Sequence, residues 1–242
     1  MKDVLSRVGI GAATVDTILP ETVTAGDSVD ATVRVEGGDT EQDVESVYFA
    51  LCTEYRTEES ARKGVVSKSR LAESFTIAPG ETREFETEIE IPRDTPVSVG
   101  RTRVWVETGL DVDWALDPDD TDYLDVQPGS REAAVLDALE DLGFAVRKGH
   151  PVESDRLFSG QRFVQEFELV PRSGPFAGAV DELELVTTPG EDGVGCLLEV
   201  DQRGGLFAEA MDVDEHFDRF TIDTTDPEEA KETLRARIEH NS

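Results

Sequence analysis

Alternation with a period of two is the feature that most constrains this chain. Val29, Ala31, Val33 and Val35 alternate with Asp30, Thr32, Arg34 and Glu36, and Gly37-Gly38 ends the run. Phe85, Thr87, Ile89 and Ile91 alternate with Glu84, Glu86, Glu88 and Glu90, and Pro92 stops them. Successive side chains of a strand point to opposite faces, so each run offers one face to a core and one to water. A helix would scatter the same residues around its circumference. Two other segments, Val47-Tyr48-Phe49-Ala50-Leu51-Cys52 and Val104-Trp105-Val106, are apolar on both faces and suit central strands. Turn chemistry at Ala25-Gly26-Asp27 and Ala78-Pro79-Gly80-Glu81 separates the runs. About seven short strands punctuated in this way predict a β-sandwich in the first half.

A boundary falls at Gln127-Pro128-Gly129-Ser130 and divides the chain into residues 1–127 and 128–242. Ser130 is placed to cap a helix over 131–142, with Val135, Leu136, Leu139 and Leu142 on one face and Gly143 as its stop. Strand patterns then return from Phe163 to Val170, Val180 to Val186, Val194 to Val200 and Phe217 to Ile222. Arg203-Gly204-Gly205-Leu206 reads as a hairpin turn. Asp226-Pro227-Glu228-Glu229 opens a last helix with an N-cap, a proline at N1 and an acid at N3. Its apolar stripe, Ala230, Leu234 and Ile238, is narrow, which predicts a helix either docked on the surface or frayed at its end.

Charge sets the environment. The chain holds 54 acidic and 23 basic residues, a net charge of -31. The excess is even: 28 acids against 12 bases in residues 1–127, and 26 against 11 in residues 128–242. An even spread is a property of the whole surface and not of an acidic tail. Of the basic residues 18 are Arg and only 5 are Lys. In molar salt the Debye length falls to about 3 Å, so self-repulsion is tolerated while carboxylates keep the surface hydrated. The composition therefore predicts a halophilic protein. Nucleic acid is disfavoured as a direct partner, because gripping phosphates needs a basic stripe. No apolar run reaches the ~20 residues of a membrane span, and Met1 to Val8 lacks the apolar core of a signal peptide. A cytoplasmic location is expected. Cys52 and Cys196 lie inside apolar strand patterns and read as two buried, reduced thiols.

The densest polar cluster is Asp111, Asp113, Asp117, Asp119, Asp120 and Asp122. Closely spaced carboxylates on a loop can supply several oxygens to a hard cation such as Ca²⁺, with Asp117, Asp119 and Asp122 as the candidate ligands. The stretch lacks the glycine turn and distal glutamate of an EF-hand, and Leu110, Trp114 and Leu116 interleave with the acids as apolar anchors. A solvated turn is the simpler reading. His150, His216 and His240 sit at no ligand or triad spacing and read as surface residues. No nucleophile–base–orienter set assembles, so no catalytic residue and no cofactor are assigned. Val4, Leu5, Val8 and Ile10 are apolar at helical spacing and could dock on their own domain, a second subunit or a membrane surface.

Ordered motifs resemble a known family. Val8-Gly9-Ile10-Gly11-Ala12, Val15-Asp16-Thr17, Phe75 to Thr82, Val104 to Asp111, Asp117-Pro118 through Tyr123, and Ala134 to Phe144 follow the order of the sporulation-control proteins, which carry an arrestin-like fold. The resemblance covers most of residues 1–145 and is looser beyond Phe163. It implies an all-β chain of two tandem arrestin-like β-sandwich domains, 1–127 and 128–242, with a connecting helix and a C-terminal helix. It also implies a regulatory or scaffolding role without enzymatic activity, hence an adaptor that binds protein partners, and the exposed edges of a sandwich can accept a partner strand or a second copy of the chain. It carries no site residues. The alternative reading is a cation- or small-ligand-binding sandwich built on the Asp111–Asp122 loop.

Overall fold

The computed structural model describes residues 11–112, 119–154, 161–202 and 217–242. Val4, Leu5, Val8, Ile10, Asp113, Trp114, Leu116, Asp117, His216 and the Arg203–Leu206 turn lie outside the described residues. The chain forms two compact units. The first comprises Met1–Thr53, Lys63–Thr95 and Arg103–Val126; the second comprises Glu54–Arg62, Pro96–Thr102 and Gln127–Ser242.

The first unit holds strands β1 (Thr14–Ile18), β2 (Thr22–Thr24), β3 (Ser28–Glu36), β6 (Phe75–Ile77), β7 (Thr82–Glu90), β8 (Val104–Val112) and β9 (Asp119–Gln127). It also holds most of β4 (Gln42–Arg56) and β5 (Ala61–Ala72). One sheet is three-stranded, ordered β1-β3-β7, with Val33 opposite both Thr17 and Phe85. The other has the order β4-β8-β9-β2, and β5 and β6 both pair with β4. Both sheets turn their apolar positions inward onto one core, in which Val33, Val35, Val44, Val47, Ile77, Ile91, Val106 and Leu110 are fully buried. The alternating runs behave as their period requires. Ala31, Val33, Val35 and Ile89 are buried, while Arg34, Glu84, Glu86, Glu88 and Glu90 face water. Gly26 and Gly80 take positive φ of 94° and 68° in the turns, and Glu81 N–H closes the second turn on Ala78 O at 3.0 Å.

The second unit is built on an antiparallel sheet whose strands lie in chain order: β10 (Phe144–Glu153), β11 (Phe163–Pro171), β12 (Val180–Pro189), β13 (Val194–Gln202) and β14 (Asp218–Ile222). Helices α1 (Ser130–Asp141) and α2 (Pro227–His240) complete it. Their apolar residues share a core with the sheet: Val135, Leu139, Phe167, Leu183, Leu185, Leu198 and Leu234. The segment around Val97 is fixed to β11, since Gln165 Oε1 accepts from Val97 N–H at 2.7 Å and Gln165 Nε2 donates to Val97 O at 2.9 Å.

One helix detail differs from the sequence expectation. Gly129, not Ser130, is the N-cap of α1, and it contributes no side-chain hydrogen bond. Its carbonyl accepts the first helical bond, from Ala133 N–H at 2.8 Å. Of the two expectations for the C-terminal helix, docking on the surface is the one the structure shows. Its narrow stripe of Ala230, Leu234 and Ile238 is fully buried, because α1 supplies a second helix for it to pack on. Asp226 caps it as expected, accepting from Glu228 N–H at 2.9 Å. Among the described residues no helix is long and apolar enough to cross a membrane.

Candidate functional site

Two aspartates of the acidic stretch, Asp120 and Asp122, are engaged within the first sandwich. Asp111 is exposed, and Asp119 opens β9 opposite Gly109. Asp120 accepts Thr17 N–H at 2.8 Å and Thr121 N–H at 2.9 Å, so it staples β1 to β9. Asp122 lies two residues along the same strand, on the same face. Burial first, and the Asp120 carboxylate next, push its carboxyl up to about 6. One Asp122 oxygen is buried without a hydrogen-bond partner. Among the described residues no group of three or more His, Cys, Asp or Glu converges as metal ligands.

In the second unit, cross-strand register lines up charged side chains on the sheet face away from the helices. Lys148, Glu168, Glu184 and Glu199 stand directly opposite one another on four successive strands. Like charges so placed repel. Two devices relieve them. Burial works to raise the Glu168 carboxyl, but hydrogen bonds from Lys148 and Arg147 outweigh it and hold it at about 2. Glu184 goes the other way: partial desolvation of its carboxyl, then the neighbouring carboxylates of Glu166 and Glu199, push it up to about 7, although the residue as a whole stays exposed. His150 belongs to the adjacent row, opposite Glu166, with Nε2 3.9 Å from a Glu166 oxygen. It is half-buried and not the free surface residue expected from its sequence position; burial, then Arg56, hold its pKa down. This row lies on an open sheet face. A separate cleft of about 660 Å³ lies at the end of β10, between Arg56, Thr57 and Arg62 on one side and Val152, Glu153 and Ser154 on the other. Its walls carry both signs of charge.

The outer face of the first unit's larger sheet has a different character. β4 and β8 are apolar on both faces, and their outward residues build a layer of their own. Cys52, Trp105 and Tyr123 stand in one cross-strand row, and Tyr48 stands opposite Gly109 in another. Gly109 is required there, since a Cβ would lie 2.2 Å from the Tyr48 ring. The Trp105 and Tyr123 rings pack at 6.0 Å between centroids, and Tyr123 is 63% exposed. Trp105 Nε1 donates to Glu107 Oε1 at 2.8 Å, and Lys63 Nζ donates to the other Glu107 oxygen at 2.5 Å. Lys68 Nζ sits 4.4 Å from the centroid of the Tyr48 ring, a cation–π contact. Cys52 beneath this layer is fully buried, and burial raises its thiol pKa. Cys196, in the other unit, is pushed up to about 12 by burial. Both are free, unreactive thiols.

An exposed Tyr and a half-buried Trp beside lysines can hold a polypeptide surface by area and charge, and they supply no general base or nucleophile. Lys63, Lys68 and Tyr123 escaped the sequence reading. The available signal was negative: no acid occurs between Glu59 and Glu73, although acids make up 54 of 242 residues.

The fold defines an all-β protein of the arrestin-like class. The chain belongs to the SpoOM protein family, whose model matches residues 1–204. It is similar to the sporulation-control protein spo0M of Bacillus subtilis strain 168, at 38% identity over 207 residues, covering 84% of this chain and 80% of that protein. The crystal structure of Spo0M from Bacillus subtilis superposes with a TM-score of 0.84 at 31% sequence identity, covering 96% of this chain and all of that one.

Proposed function

We propose that this chain is a non-enzymatic regulatory adaptor that works by binding protein partners. The observation that carries the reading is the outer face of the first sandwich, where the Trp105–Tyr123 pair and the lysines of β5 lie together on a strand-built surface. Its relative's name speaks of the control of sporulation, and a controlling role is what we carry over. Aromatic anchors with a polar, charged surround are the residue types that concentrate binding energy at protein interfaces. The protein acts in the cytoplasm, and a second copy of the chain is one of the partners its sheet edges admit.

The reading is tested by the native size of the chain in host lysate at molar salt. Elution above the mass of the purified chain supports it. Elution at that mass in every growth condition would count against it.

We also read the surface as that of a halophilic archaeal protein. The even acidity and the shortage of lysine support this. Thermal unfolding should rise steeply between dilute and molar KCl. A melting temperature that falls or stays flat over that range would remove the halophile reading.

A further inference from the structure

We propose that β5, from Lys63 to Ala72, is a docking edge for an extended acidic segment of a partner protein, which adds to the sheet as a further strand. The inference rests on the partner-binding reading and gives it a place and a chemistry. Three observations converge on it. First, among the described residues β5 pairs with β4 alone, so it is an edge. An edge strand presents a row of backbone N–H and C=O groups that another strand can satisfy. Second, β5 is basic in an acidic protein. Arg62, Lys63, Lys68 and Arg70 fall within Ala61–Ala72, which contains no Asp or Glu, whereas the whole chain carries -31. Third, the edge runs beside the aromatic layer. Lys68 stands over Tyr48, Lys63 over Glu107, and Val65 is 43% exposed between them.

The charge pattern selects the occupant. A second β5 placed alongside would set cation against cation, which is unfavourable for directly opposed strands. A nucleic acid would meet a few cations on a strongly repelling body and leave the edge amides without strand partners. An extended segment with acids on alternate positions satisfies both the backbone row and Lys68 and Arg70. Neither Lys68 nor Arg70 has an ion pair within the described residues, so both are available to an incoming carboxylate.

The test uses the full chain and a fluorescent synthetic peptide with the sequence of Thr82–Glu90, an alternating acidic strand former. Saturable binding is expected by anisotropy, weakened about tenfold or more by K68E/R70E, as the loss of two charge-assisted contacts implies. A peptide with all its glutamates replaced by glutamine should lose affinity similarly, and one N-methylated on alternate residues should lose it more. R172E/R235E imposes the same charge change on exposed positions of the other unit and should bind the peptide as the parent does. Equal weakening by both charge-reversed variants, or no binding of the acidic peptide, overturns the assignment. Light scattering that shows a dimer abolished by K68E/R70E would put a second copy on β5 and also overturn it. Failure of the peptide to bind leaves the native-size experiment untouched, so the two readings fail separately.

Discussion

Glu132 of α1 accepts a hydrogen bond from Thr187 Oγ1 on β12 at 2.7 Å, while its second carboxyl oxygen is buried with no partner at all. The residue is 2% exposed, and burial pushes its carboxyl from the usual 4.5 up to about 7. A charged carboxylate there would leave an unpaired ion in an apolar core, so the folded chain holds the proton. The folded state binds this proton more tightly than the unfolded state does. Its contribution to stability is full below pH 4.5 and is lost as pH rises through about 7. Over that window the loss amounts to about 3 kcal/mol. Glu132→Gln removes the titration. Thermal melts should therefore place E132Q close to the parent at pH 5 and several degrees above it at pH 8. A constant offset between the two across this range would show that Glu132 is not protonated in the fold.

Glu168 behaves with the opposite sign. Lys148 and Arg147 both donate to it and hold its carboxyl at about 2. This stabilisation is present above pH 4.5 and is lost as pH falls toward 2. Both cations are about half exposed, so solvent screening keeps the effect of Glu168→Gln near 1 kcal/mol at pH 7 in dilute buffer. Urea unfolding at pH 7 and pH 3 checks it: the gap between parent and E168Q should narrow at the lower pH and in molar salt.

Gly143 ends α1 with φ of 93°, and its N–H bonds Glu140 O at 2.8 Å. An added Cβ would lie 2.2 Å from the Ser173 carbonyl oxygen, which is backbone and cannot move aside cheaply. Gly143→Ala should cost about 2 kcal/mol or more, combining left-handed strain with the clash. Denaturant midpoints measure it. A neutral result would mean that the α1–β10 turn adopts another conformation.

The acidic loop gives a calcium expectation. Asp120 is occupied with backbone N–H groups, and burial pushes the Asp122 carboxyl up to about 6, so neither is a free carboxylate ligand. Low-millimolar Ca²⁺ should leave the melting temperature unchanged in the parent, in D117N and in D119N. A Ca²⁺-dependent rise that either substitution abolishes would restore the cation-binding alternative.

Much of this was readable from residues alone. The period of two in β3 and β7 depends only on local spacing, and those runs place their faces as the pattern requires. The turn glycines and the Asp226 cap are local as well. What escaped depends on pairing between distant segments. The all-apolar run of residues 47–52 suggests burial on both sides. Its outward residues Ala50 and Cys52 are buried as that suggests, but the layer of Trp105, Tyr123 and the lysines of β5 beside them is assembled only by the pairing of four strands. Glu132 looks like an acid complementing the start of a helix dipole, and nothing local shows that its face is turned into the core. The narrow stripe of α2 is sufficient because α1 lies beside it. Charge was legible as a total, whereas the basic strand within it acquires meaning only once β5 is known to be an edge.

Partner binding is tested most directly by capturing the tagged full chain from its native host in molar salt and identifying what it retains by mass spectrometry. The adaptor reading expects at least one protein held in near-stoichiometric amount and absent from an untagged control. An eluate matching that control under all growth conditions would contradict it.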